Sequence, residues 1–377
     1  LSKMIKSWSY INEYKKIKPK IIKSINSTIG SGHLILGPQV KLFEKNFSKF
    51  IGSKFGLGVA NCTDAIFIAL KALNIGKGDE VITVSNTAIP TITAIVNSGA
   101  IPRFVDVNEN YLIDYNKIDS AINKKTKAII PVHLYGQTCN MKEILRIKKK
   151  YNLKVIEDCA QSTGSMFKNK KSGNIGDVGC FSFYPTKILG AYGDAGFLTT
   201  NNINIYNKMR RIRYMGIESN NNSKSKFNKK YYAIEHGTNS RMDEIQASIL
   251  NIKLKFIKSY IKRRREIARM YNNNLNKRNL ILPKETEDSF HVYYQYVLAH
   301  KNRKKILKKL KKKNIHLGIV YPFPVHKMKP YKRFFKEKYG KLRKTEIFSN
   351  QIFSLPTYPS IKDSDIKKII KEINKLT

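Results

Sequence analysis

The chain opens on apolar positions at helical spacing. Residues 8–25 read as an amphipathic helix that Ile29-Gly30-Ser31-Gly32 brings to an end. Val40, Phe43, Phe47 and Phe50 recur at steps of three and four and predict a second helix. The period then shortens. Residues 55–60 read as a strand, and after Asn61-Cys62 a helix carries Ile66, Leu70 and Leu73 on one side. Thr63 or Asp64 is its expected N-cap, and Gly76-Lys77-Gly78 its stop. Strands are expected at 80–84, 103–107, 127–134 and 153–156, with helices at 91–97, 116–123 and 141–151 between them. This alternation builds βαβ units, so the expected class is α/β with a mostly parallel sheet flanked by helices.

Further on, 178–183 alternates small and aromatic residues, as in a buried strand, and stops at Tyr184-Pro185. Residues 197–200 add a strand. The 220–230 stretch is polar and reads as a loop. Ile245, Ile249, Ile252 and Phe256 predict one long helix over 243–275, a natural bridge between domains. A smaller α+β unit is expected from about residue 290, with basic amphipathic helices at 303–313 and 362–375. The division this implies is a large domain over 1–250 and a small C-terminal domain over 251–377.

Composition narrows the function classes. Hydrophobic residues are 41% of 377, enough for real cores, and no apolar run is long enough to span a bilayer. The four cysteines, Cys62, Cys139, Cys159 and Cys180, show no metal-ligand spacing and fit small buried residues of a cytoplasmic protein, with no metal expected. The formal charge of +44 invites a nucleic-acid reading. The excess is spread over the chain, however, and no zinc finger, RNA-binding signature or helix-turn-helix accompanies it. A biased surface accounts for it better, and such a surface attracts anionic substrates.

The candidate chemistry centres on Lys187. It follows a strand end, in a loop with Gly190, Gly193 and Gly196. Ligands of α/β sheets bind at such ends, and a lysine against apolar walls can act as a nucleophilic amine. Asn61-Cys62-Thr63-Asp64 is a strand-to-helix turn whose amides suit a phosphate. Glu157-Asp158 ends another strand, where a carboxylate can face a cationic ring nitrogen. Ser182 offers a hydroxyl five residues before Lys187, and Asn239 or Ser240 lies in a polar turn before the long helix. A phosphate cradle, a carboxylate and a downstream lysine together suit pyridoxal 5'-phosphate.

Eight stretches, in order, carry a resemblance. They include Gly37-Pro38-Gln39-Val40, Ala60-Asn61-Cys62-Thr63-Asp64-Ala65, Gly76-Lys77-Gly78-Asp79-Glu80-Val81, and Pro131-Val132-His133-Leu134-Tyr135-Gly136-Gln137. They continue with 156–161, 182–187, Gly193-Asp194-Ala195-Gly196 and Asn239-Ser240-Arg241-Met242-Asp243-Glu244. In these the chain resembles the DegT/StrS family of sugar-nucleotide aminotransferases, which have the fold-type-I architecture. The resemblance implies that Lys187 is the Schiff-base lysine and proton shuttle, and that Asp158 faces the pyridinium nitrogen. It implies Gln161 near the ring hydroxyl, and Cys62, Thr63 and Ser182 at the phosphate. It implies a homodimer in which Asn239 reaches the neighbouring active site, sugar-nucleotide contacts at Tyr184 and His326, and glutamate as amino donor. Ala88 stands where many members place an aromatic ring over the cofactor. The wording at 84–88 resembles the branch that aminates C3 of dTDP-linked 3-oxo-6-deoxyhexoses. Amination at C4 or of a UDP-linked sugar is the alternative. A DNA-binding regulator is the rival from another class.

Overall fold

The computed structural model describes residues 4–217, 232–336 and 340–377; the polar 220–230 stretch lies outside them. Helices α1 (Ile11–Gly30) and α2 (Pro38–Ile51) precede β1 (Phe55–Val59) and α3 (Cys62–Ala72). Then come β2 (Glu80–Val84), α4 (Ile89–Asn97), β3 (Ile101–Val105), β4 (Thr126–Ile129), α5 (Met141–Tyr151) and β5 (Lys154–Asp158). Two short strands, β6 (Met166–Phe167) and β7 (Lys170–Lys171), lead to β8 (Val178–Ser182), β9 (Gly196–Thr200) and α6 (Ile203–Arg213). The remainder holds α7 (Glu244–Leu254), α8 (Ile257–Asn274), β10 (Ser289–Phe290), β11 (Tyr296–Ala299), α9 (Arg303–Lys312), α10 (Arg343–Gln351), β12 (Ile352–Leu355) and α11 (Asp363–Asn374).

Seven strands form the main sheet in the order β1-β9-β8-β5-β4-β2-β3. The five from β8 to β3 run parallel, and β9 runs antiparallel to both its neighbours. Every residue of β2 and β8 is buried, because helices cover both faces. One face packs Ile66 and Leu70 of α3 and Ile92 of α4 against Val81, Ile156 and Val178. The other packs Ile144 and Ile147 of α5 against Ile82, Val84 and Val155. A separate core joins α8, α9, α11, β11 and β12, and it includes Ile5 from the opposite end of the chain. Ile5 docks there by donating to the Asn314 carbonyl at 2.8 Å.

Several expectations need correction. The 116–123 helix is two 3₁₀ turns, Tyr115–Lys117 and Asp119–Ala121. The Asp114 side chain accepts from the Asn116 amide, and such local bonding favours a turn over a helix. The N-cap of α3 is Asn61, whose side chain accepts from the Asp64 amide at 2.9 Å. The 127–134 strand stops at Ile129, and Leu134–Gly136 closes a 3₁₀ turn with Tyr135 at positive φ. The long helix is two helices that part at Lys255-Phe256. Ser289–Phe290 pairs with β6 rather than opening the C-terminal unit. On α9, Ile306 and Leu310 are buried while the lysines are exposed, which is a solvated face on a packed helix.

The GPQV and Asp243-Glu244 stretches, remote in sequence, meet in space. Glu244 is fully buried, and its carboxylate accepts from the amides of Gln39 (2.7 Å) and Val40 (2.8 Å). It caps α2 from another helix, with the negative charge at the positive helix end. A Cβ on Gly37 would stand 3.0 Å from that carboxylate.

Candidate active site

The site lies where β1, β5 and β8 end and β9 begins. Register puts Asp158 opposite Cys180 and Ser182 opposite Gly196. Gly196 lies against the Asn61-Cys62 peptide so closely that a Cβ would stand 2.4 Å from the Asn61 carbonyl carbon and 2.8 Å from the Cys62 amide nitrogen. Only glycine permits this approach, and it brings the first turn of α3 beside Ser182. Cys62, Thr63 and Ser182 therefore converge, around amides that have no intrahelical acceptor. Burial pushes the Cys62 thiol well above its ordinary value, Asp158 adds to this, and the Lys187 ammonium opposes it. Asp158 and Lys187 thus lie near enough to Cys62 for their charges to act on it.

Lys187 sits in a loop closed by its own amide on the Tyr184 carbonyl (2.9 Å) and by Ala191 on Phe183 (2.8 Å). It is half-buried. Among the described residues no carboxylate pairs with its Nζ, which lies 5.1 Å from the centre of the Tyr294 ring.

The two adjacent acids separate cleanly. Successive strand residues point to opposite faces. Glu157 turns away from the pocket, where it accepts from the amides of Gly173 (2.9 Å), Ile175 (2.8 Å) and Gly176 (2.7 Å) and meets His133 Nε2 at 2.9 Å. The Cys139 amide donates into His133 Nδ1, so the His133 proton sits on Nε2. Glu157, His133 and the neighbouring Cys159 are close enough to ligate a metal, but the Glu157 and His133 donor atoms are committed to these bonds. Asp158 points to the opposite face, near enough to Cys62 to act on its charge. It is 4% exposed; Oδ2 accepts from Thr91 (2.8 Å) and Oδ1 from the Ala160 amide (3.1 Å). Thr91 is held in turn by Thr87 at 3.0 Å.

Gln161 accepts from the Tyr135 amide (2.8 Å) and donates to the Tyr321 hydroxyl (2.6 Å). Burial holds the Tyr321 phenol protonated, with Tyr294, Tyr135 and Asp158 adding to the effect. Tyr184 is 52% exposed at the rim. Asn239 is exposed too, and its neighbour Ser240 accepts from the Ala60 amide at 3.1 Å. His326 stands apart. It is 2% exposed, with Nδ1 at 2.7 Å from Ser85 Oγ and Nε2 at 3.1 Å from Glu346. Sequence reasoning missed Thr91, Tyr294 and Tyr321. Thr91 was within reach, four residues after Thr87 on a helix that starts at a strand end; the two tyrosines reach the pocket through tertiary packing alone.

The residues present fit pyridoxal phosphate. A lysine amine without an ionic partner can take the aldehyde, a buried carboxylate with free lone pairs can face the ring nitrogen, and the α3 amides can take the phosphate. A fold and pocket of this kind define a PLP-dependent transferase. The chain belongs to the DegT/DnrJ/EryC1/StrS aminotransferase family, whose sequence profile matches residues 15–374. It is 40% identical over 376 residues to the dTDP-3-amino-3,4,6-trideoxy-alpha-D-glucose transaminase of Micromonospora megalomicea subsp. nigra, covering 98% of each chain. It is 40% identical to the dTDP-3-amino-3,6-dideoxy-alpha-D-galactopyranose transaminase of Aneurinibacillus thermoaerophilus, covering 96% of each. It is 35% identical to the UDP-2-acetamido-2-deoxy-3-oxo-D-glucuronate aminotransferase of Pseudomonas aeruginosa, over 95% of this chain and 96% of that one. Among solved structures, S. venezuelae DesV with a ketimine intermediate superimposes with a TM-score of 0.93 at 30% identity, covering 100% of this chain and 99% of that one. The ntda protein of Bacillus subtilis with bound cofactor PMP gives 0.87 at 31%, covering 96% and 82%.

Proposed function

We propose that the protein moves an amino group from glutamate to C3 of a dTDP-linked 3-oxo-6-deoxyhexose. The observation that carries the aminotransferase chemistry is a Lys187 amine with no carboxylate partner among the described residues, near enough to Cys62, as Asp158 is, to act on its charge. The relatives named for dTDP-3-amino sugars support the sugar and the position. When bound, the coenzyme supplies an electrophilic carbon and an electron sink. Lys187 Nζ would hold it, and the Lys187 amine would take the proton from the donor Cα. Asp158, fixed by Thr91, would keep the ring-nitrogen proton in place by charge attraction. The Cys62 and Thr63 amides with Ser182 would hold the phosphate, and Gln161 would serve the ring hydroxyl. In a homodimer, exposed Asn239 reaches the neighbouring site, and Tyr184 meets the sugar nucleotide at the rim. His326, with both ring nitrogens bonded, braces the 324–328 segment instead. The core that joins α8, α9, α11, β11 and β12 serves as the smaller domain. No described helix is long and apolar enough to cross a membrane, in keeping with a cytoplasmic setting.

A UDP-linked substrate is the second reading, since one relative is named for such a sugar. The test is Lys187→Ala against wild type, both reconstituted with the coenzyme. Wild type should absorb in the visible and aminate one keto-sugar nucleotide of a panel varied in base and keto position, read by product mass. Lys187→Ala should lose the absorbance and at least about a thousand-fold in turnover. Retention of both would overturn the mechanism. Product only from a UDP sugar, or at C4, would overturn the substrate assignment. A salt-sensitive DNA shift without visible absorbance would favour the regulator.

A further inference from the structure

Arg264 on α8 is 3% exposed, yet no carboxylate pairs with it among the described residues. Its Nη1 donates only to neutral acceptors, the carbonyls of Tyr293 (3.4 Å) and Tyr294 (3.0 Å) and the Thr357 hydroxyl (3.3 Å). Its Nε has no hydrogen-bond partner among the described residues. A buried charge is expensive to leave uncompensated. Burial pulls the guanidinium down to about 10.

Arg264 lines a cavity of about 230 Å³. The same wall carries Gln295, whose Oε1 is also buried without a partner, and Thr357. Rotating the Gln295 amide would present its NH₂ to an anion. The wall also contains Thr186, directly before Lys187, and Tyr294, the ring beside the Lys187 amine. Thr186 Oγ1 and the Tyr294 hydroxyl lie 3.2 Å apart. The cavity therefore adjoins the reactive lysine. At about 230 Å³ it is smaller than the roughly 300–1,000 Å³ that buries a drug-sized ligand, so a nucleotide sugar does not fit it, whereas a short carboxylate does.

We propose that this cavity is the carboxylate subsite for the amino donor, with Arg264 as its charged anchor and Gln295 as its second contact. The proposal rests on the aminotransferase reading above. The donor's terminal carboxylate neutralises Arg264 and sets the other end of a short dicarboxylic amino acid toward Lys187. Removing the anchor then weakens the donor and leaves the sugar nucleotide untouched.

The probe is glutarate, a dicarboxylate without an amine, titrated calorimetrically into the coenzyme-loaded enzyme. Arg264→Gln should weaken glutarate about ten- to a hundred-fold and raise the glutamate KM similarly. The keto-sugar KM and the visible absorbance should be unchanged. Glutarate affinity within twofold of wild type, or a loss confined to the keto-sugar KM, overturns the subsite. If Arg264→Gln does not fold, Gln295→Leu decides, with an expected three- to ten-fold loss of glutarate affinity; no loss overturns it. Wild-type enzyme that absorbs in the visible but binds no glutarate overturns the subsite alone. Wild type that shows neither overturns the reading beneath it.

Discussion

Two hydrogen-bonded chains leave the end of β2 only two residues apart. Ser85 bonds His326, which bonds Glu346. Thr87 bonds Thr91, which bonds Asp158. The first has the wiring of a hydrolytic triad and lacks its chemistry. Ser85 is fully buried, its Oγ accepts the His326 amide as well, and Glu346 is also tied to Lys327 at 2.8 Å. The second chain ends on a carboxylate whose charge acts on Cys62 together with that of the Lys187 amine, which has no carboxylate partner among the described residues. What separates a site from a brace is spare bonding capacity beside open space, not the order of donors and acceptors.

The comparison can be tested from its strongest arm downward. Asp158→Asn should cost about a hundred-fold or more in turnover while the far-ultraviolet circular dichroism stays native. A variant that stays fully active would mean that the second chain is a brace too. Thr91→Val removes one hydrogen bond into Asp158 and should cost about tenfold in kcat, with Thr91→Ser restoring most of it. His326→Gln should leave turnover of the folded enzyme within about twofold and instead cost about 1–3 kcal/mol in denaturant unfolding.

The same histidine has a pH signature. Burial lowers its pKa below the ordinary 6.5, against the pull of Glu346, while nearby Lys327 adds to the lowering. The unfolded chain then binds the proton more tightly than the folded one. This contribution is complete above 6.5 and is lost as pH falls from there toward the folded pKa. His326→Gln should flatten that part of the acid slope of Tm. The smallest effect is on α9, where Lys308→Ala should change stability by no more than about 0.5 kcal/mol.

Much of the site was legible along the chain because its parts lie at element ends, and ends are written in local residue types. Tyr184-Pro185 stops β8 and exposes the Lys187 loop, and the apolar run before Asp158 marks a strand end. The strand 80–84 and the helix 141–151 were readable to the residue for the same reason. Local pattern could not choose between Glu157 and Asp158. Adjacent strand positions are chemically alike until the sheet assigns one to each face.

The sequence by itself determined the α/β class, the loop that carries Lys187 and the order of the motifs, since these rest on period and on short-range stops. Tertiary structure alone decided the strand order, the capping of α2 by Glu244, and the meeting of Gly196 with the Asn61-Cys62 turn. It also decided that Arg264 is buried with no ion-pair partner among the described residues, while its neighbours on α8, Arg263 and Arg265, find Asp363 and Glu285. Three consecutive arginines are identical as letters. The 3.6-residue turn and the surfaces packed against it give each a different dielectric and different partners.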